Sequence, residues 1–205
     1  DHYKIQEEGR EAFHFSTLQV HQSSDSRFGT NAITLGGRLS RNDIRVVLDG
    51  EGIESVLNGL YLADGVQHVD THTKIDHAKP QCHSREFYRG ILDDKATAIF
   101  CGAIMVRPDA QKTDAIQSSS TLLLSDTASV DSQPQLEIFA DDVRCTHGST
   151  TGQLDEAAIF YMQSRGIDHD SARGLLTYAF AGEIIAEIKL DPIRERIDHI
   201  ISRRF

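Results

Sequence analysis

Up to about residue 150 this chain contains no amphipathic helical stretch of ten residues, and that most limits what it can fold into. Short segments rich in β-branched and aliphatic residues take its place, at 17–20, 44–48, 67–75, 98–106, 121–124 and 136–139. Turn formers separate them: Asp49-Gly50, Asn58-Gly59, Asp64-Gly65, Asp93-Asp94, Pro108-Asp109 and Gln133-Pro134. Residues 98–106 (AIFCGAIMV) are apolar on both parities, which predicts a strand covered on both faces with Cys101 in the core. A sandwich, a barrel and a parallel β-helix all meet this pattern. Apolar centres near Leu48, Val69, Ile91 and Leu123 recur at loose intervals of about two to three dozen residues, which favours stacked rungs.

At residue 151 the apolar period becomes helical. Leu154, Ala157, Ala158, Tyr161 and Met162 share one helix face, with Thr151 or Asp155 as the cap and Gly166 as the stop. A second helix follows Asp168 or Asp170, carrying Ala172, Leu175, Leu176, Ala179, Ile184, Ile185 and Ile188. A third starts at Asp191-Pro192, a cap and a proline at the first helical position, with Ile193, Ile197, Ile200, Ile201 and Phe205 as its stripe. The expected organisation is a β domain over residues 1–150 and a helical domain over 151–205 too small to hold a core of its own.

Charge and composition exclude several functions. Thirty-one acidic against 21 basic residues leave a net charge of −10, the wrong sign for a nucleic-acid or anionic-membrane surface. No apolar run is long enough to cross a membrane. Three scattered cysteines make no disulfide framework, which points to a reducing, cytoplasmic compartment. The opening DHYKIQEEGR has neither a starting Met nor an apolar leader and reads as the interior of a longer protein.

Two residue groups could carry chemistry. His68, Asp70 and His72 alternate along one strand face, either as a facial metal triad or as a hydrogen-bonded polar ladder. A metal-dependent β-fold enzyme using these residues, with His77, is the competing functional reading. Cys145 and His147 likewise point the same way from one strand, one sulfur and one imidazole donor. Two ligands from one chain do not close a tetrahedral site, so others would come from a partner or a small molecule. Cys82-His83 sits in a proline-containing loop and matches no zinc spacing. Nucleotide-binding glycine loops, nucleophile elbows and zinc-protease motifs are lacking.

Residues 136–156 (LEIFADDVRCTHGSTTGQLDE), continued by 157–167 (AAIFYMQSRGI) and 172–181 (ARGLLTYAFA), resemble the C-terminal signature of the SufB/SufD family of iron–sulfur cluster assembly scaffolds. Upstream, DTHTKIDH (70–77), SREFYRG (84–90), FCG (100–102) and AQKTD (110–114) also fit, and Cys-x-His-Gly favours the SufD side. The resemblance implies a right-handed parallel β-helix followed by a small helical domain, in a protein that is not itself an enzyme. It implies pairing with a SufB-like subunit, or with a second copy, through the β-helix. It further implies binding of a SufC-like ABC ATPase through the C-terminal helices. Cys145 and His147, the latter as a metal ligand, match the family's interfacial donors for a transient iron–sulfur cluster. On this reading Leu154, Phe160, Arg165, Arg173, Ala179, Phe180 and Glu183 form the ATPase contact, with Arg165, Arg173 and Glu183 as exposed rim residues. The family's N-terminal domain is expected to lie outside this sequence.

Overall fold

The computed structural model describes residues 1–204; Phe205, expected at the end of the last apolar stripe, lies outside the described residues. Among the described residues, eleven strands coil into a β-solenoid of about five turns, followed by three helices. One sheet stacks β1 (His2–Gln6), β3 (Arg27–Thr34), β5 (Glu54–Ala63), β7 (His83–Leu92), β9 (Asp114–Leu123) and β11 (Arg144–Gly152) in that order. The other stacks β2 (Phe13–Gln22), β4 (Leu39–Leu48), β6 (His68–His77), β8 (Thr97–Val106) and β10 (Ser129–Ile138). Every pairing is parallel, and each coil places one strand in each sheet, so Leu39 sits on His68, His68 on Thr97 and Thr97 on Ser129. Chain neighbours therefore lie in opposite sheets, and ladder neighbours are about 30 residues apart along the chain.

Alternate residues of both sheets point into the bore. Val46, Leu48, Leu57, Ile75, Phe100 and Ile104 fill one buried cluster there, with the Tyr88 and Phe100 rings 4.9 Å apart. Asn58-Gly59, expected as a turn, lies instead in the middle of β5. A Cβ on Gly59 would come within 2.0 Å of the Tyr88 ring, so the glycine makes room for an aromatic crossing from the next coil. Gly90 does the same for Tyr61, with 2.1 Å to its ring. Gln133-Pro134, also expected as a turn, is in mid-strand β10. Ser129 N–H donates to Ala96 C=O and Phe139 N–H to Val106 C=O, so by alternation residue 134 faces the outer edge, where proline costs no ladder bond.

The strand covering residues 97–106 is fully buried on one face only; Ile99, Cys101, Ala103 and Met105 are half-buried on the outside. Cys101 thus belongs to the outer surface rather than the core, in register with His72. At the coil corners the backbone turns through left-handed residues. Asp25, Gly52, Gln81 and Lys112 occupy successive coils at one corner, with φ between 60 and 68°.

The helices are α1 (Glu156–Ser164), α2 (His169–Ile185) and α3 (Asp191–Ser202). Asp155 caps α1 through Ala157 N–H, Gly166 at φ 88° closes it, and Asp168 caps α2 through Ser171 N–H. For α3 the cap position is Leu190, and Asp191 falls inside the first turn, where its carboxylate takes the Arg194 guanidinium. Ala181, Ile184, Ile185, Ile188, Ile197 and Ile201 pack on Ile33, Leu35, Leu60, Leu62, Ile91 and Leu122, the outer face of the first sheet. This shared cluster is the helices' core, so the helical segment and the solenoid bury one another. β11 runs on to Gly152, slightly beyond the expected change of period.

Candidate functional site at the open end of the solenoid

The last coil ends in β10 and β11, the terminal strands of their sheets. Arg144 N–H donates to Thr113 C=O at 2.9 Å, which fixes the alternation along β11. The backbone groups of Arg144, Thr146, Gly148 and Thr150 face β9, and those of Cys145, His147, Ser149 and Thr151 face outward along an unpaired edge. The side chains alternate too. Cys145, His147 and Ser149 stand in register on Ala115, Gln117 and Ser119, all buried in the bore. Across the opening, Val130, Ser132, Pro134 and Leu136 continue the inward columns of β8, and Ser149 Oγ donates to Ser132 Oγ at 2.8 Å. The two expected donors therefore sit side by side on the rim of the bore, on a strand whose outer backbone groups are free to pair.

Their environments differ. His147 is exposed. Cys145 is half-buried against the interior cluster with Leu136 and Val143. Burial pushes its thiol above the usual cysteine range, and the nearby Asp114 carboxylate adds to the effect. The resting group is a neutral thiol rather than an exposed thiolate, so a metal binding there must displace the proton. One sulfur and one imidazole suit iron or an iron–sulfur fragment, and they leave coordination positions for a second molecule.

The other histidine group stays apart. His72 Nε2 lies 2.8 Å from Asp70 Oδ1, and Asp70 Oδ2 takes Arg41 at 2.5 Å. His68 Nδ1 bonds Thr97 Oγ1 at 2.6 Å. His77 has the opposite parity and is buried in the bore on Ser84 Oγ at 2.9 Å. Burial lowers the His77 imidazole to about 4. Among the described residues, no three His, Cys, Asp or Glu side chains converge as a metal site.

The helix residues of interest divide into anchors and exposed groups. Leu154 and Phe180 pack on the shared cluster, Arg89 lies 5.6 Å over the Phe180 ring, and Glu183 takes Arg89 Nε at 3.0 Å. Arg173 is half-buried and donates to Leu124 C=O at 3.2 Å, so it is a tie to the solenoid rather than an exposed rim residue. Phe160, Arg165 and Ala179 are exposed. Phe160 is 73% exposed, and Tyr161 (59%) and Leu175 (51%) add apolar surface that helical periodicity had placed inside.

Residues 1–180 match the SUF-system FeS cluster assembly SufBD core domain family. The chain belongs to that family. It is 34% identical to the iron–sulfur cluster assembly protein SufD of Escherichia coli over 203 residues, 99% of this chain and 48% of that protein. An iron–sulfur cluster assembly SufBD family protein of Synechocystis is also 34% identical, with 99% and 45% covered. The SufD protein of Bacillus subtilis is 28% identical over 169 residues, 82% of this chain and 38% of that one. This SufBD-family chain thus spans about half the length of the curated relatives it matches. Among its described residues no helix is long and apolar enough to cross a membrane.

Proposed function

We propose that the protein is a non-catalytic, cytoplasmic scaffold subunit of an iron–sulfur cluster assembly complex. The observation that carries this reading is the end coil, where Cys145 and His147 share the rim of the bore with an unpaired strand edge. A SufB-like subunit pairs along β11 and supplies the missing ligands, and the nascent cluster is held only while the two edges are together. An incomplete donor set on each side suits cargo that must be released. A second copy of this chain could occupy the same edge, since isologous pairing satisfies the same backbone groups. β10 is less suited to pairing, because Pro134 removes one of its outward donors.

Thr151→Pro tests the pairing. It deletes an outward N–H and leaves the alternate bonds to β9 intact. Affinity for the SufB-like subunit is expected to fall about tenfold or more in a binding titration. Unchanged affinity would rule out β11 as the pairing edge.

The same proposal assigns the exposed apolar surface of α1 and α2 to a SufC-like ABC ATPase. Interfaces concentrate their binding energy in a few aromatic and arginine side chains that become buried near the centre of the contact. Phe160→Ala with Tyr161→Ala is expected to weaken ATPase binding about thirtyfold, about 2 kcal/mol, while the melting temperature stays put. Full-strength co-migration of the double variant with the ATPase on size exclusion would exclude this surface.

A further inference from the structure

One inward column of the first sheet runs Leu57, Glu86, Gln117, His147, one residue per coil. Its two middle members are among the most buried polar side chains of the protein, Glu86 at 0% and Gln117 at 1% exposure. Gln117 Nε2 donates to Glu86 Oε2 at 2.7 Å. Glu86 can accept this bond whether ionised or protonated, and with Nε2 turned to Glu86 the amide oxygen faces the other way. The amide oxygen, Gln117 Oε1, is then left buried with no partner. Gly102 of the facing sheet leaves the space that the amide fills, since a Cβ there would come within 2.4 Å of Gln117 Nε2. A buried acceptor without a partner costs about 1–3 kcal/mol, and the next side chain toward the opening, one strand spacing of about 4.8 Å away, is His147.

We propose that Gln117 is a positioning residue for His147: its buried carbonyl oxygen accepts the N–H of one ring nitrogen and leaves the other nitrogen's lone pair directed at the opening, beside Cys145. Glu86 acts through Gln117 by holding the amide in the accepting orientation. The arrangement is that of metal-binding histidines generally, whose second nitrogen is held by a carboxylate or carbonyl acceptor. It rests on the reading of His147 as a donor to the nascent cluster. Closing the opening with a partner removes competing water and strengthens the bond.

Cobalt(II) is the probe, because its thiolate charge-transfer absorption reports Cys145 coordination without any assembly activity. Cys145→Ser should abolish the absorption and His147→Ala should weaken cobalt binding. Gln117→Met should weaken it about tenfold or more, with native circular dichroism, and the swapped pair Gln117→Glu with Glu86→Gln, which keeps the internal amide donor and an acceptor oxygen toward His147, should restore it. If Cys145→Ser and His147→Ala leave cobalt binding unchanged, the donor reading fails and the positioning role falls with it. If His147→Ala weakens binding but Gln117→Met does not, the donor reading stands and Gln117 has no positioning role. Should Gln117→Met fail to fold, the zinc(II)-loaded wild-type protein decides by NMR. A slowly exchanging His147 ring N–H supports the bond to Gln117, and exchange at the solvent-exposed rate overturns it.

Discussion

Gly59→Ala is expected to destabilise the fold by about 3 kcal/mol or more, the upper end of overpacking costs, or to prevent folding outright. The new Cβ would sit 2.0 Å from one Tyr88 ring carbon and 2.3 Å from another. Tyr88 cannot swing away, because it is 2% exposed and packed against Phe100. Gly182→Ala is the control: nothing lies within 4 Å of its Cβ position, and alanine is the better helix former. Denaturant unfolding of the two variants should differ sharply, Gly182→Ala matching or exceeding wild type. A Gly59→Ala midpoint equal to wild type would mean that the bore is not packed as described.

Glu86→Gln should stabilise the protein in alkaline solution and lose that advantage in acid. Burial raises the Glu86 carboxyl from the usual 4.5 to about 7, so the folded state holds its proton more tightly than the unfolded chain does. Between pH 4.5 and 7 the native state carries more protons than the unfolded one, and the stability from this group declines as pH rises. Below that window it contributes no penalty, and above it the penalty is complete, about 3 kcal/mol. Glutamine keeps an acceptor for Gln117 and never ionises. The gap in unfolding free energy between Glu86→Gln and wild type should therefore open from pH 4.5 to pH 8. A gap of constant size across that range would contradict the buried, titrating carboxyl.

What the sequence discloses divides along physical lines. Signals confined to neighbouring residues are legible: the caps Asp155 and Asp168, the stop at Gly166, and the corner turns at Asp49-Gly50 and Asp64-Gly65. Signals whose meaning lies one coil away are not. Asn58-Gly59 reads as a turn because the reason for the glycine is Tyr88, and the proline of β10 reads as a breaker until β10 is known to be an edge. Coil length varies by several residues, so Arg27 meets Glu54 whereas Thr97 meets Ser129, and the repeat blurs. The apolar centres at Val69 and Ile91 even belong to different sheets. Cys145 and His147 are legible twice over, as alternate residues on one strand and through the family signature. The Glu86–Gln117 pair behind them emerges only from the register. Arg173 shows the same limit, since helical spacing cannot reveal a carbonyl on the solenoid that occupies its guanidinium.

On the proposed function, the Cys145 and His147 side chains hold nascent cluster without being needed to hold the complex together. The direct measurement is the iron and acid-labile sulfide content of the full-length protein co-purified with the proposed SufB-like and ABC ATPase partners, for wild type and for Cys145→Ser with His147→Ala. Both residues lie on the end coil and His147 is exposed, so the complex should assemble in normal yield. The variant complex is expected to carry at most about a fifth of the wild-type iron and sulfide. Wild-type iron and sulfide in an intact variant complex would contradict the proposed role.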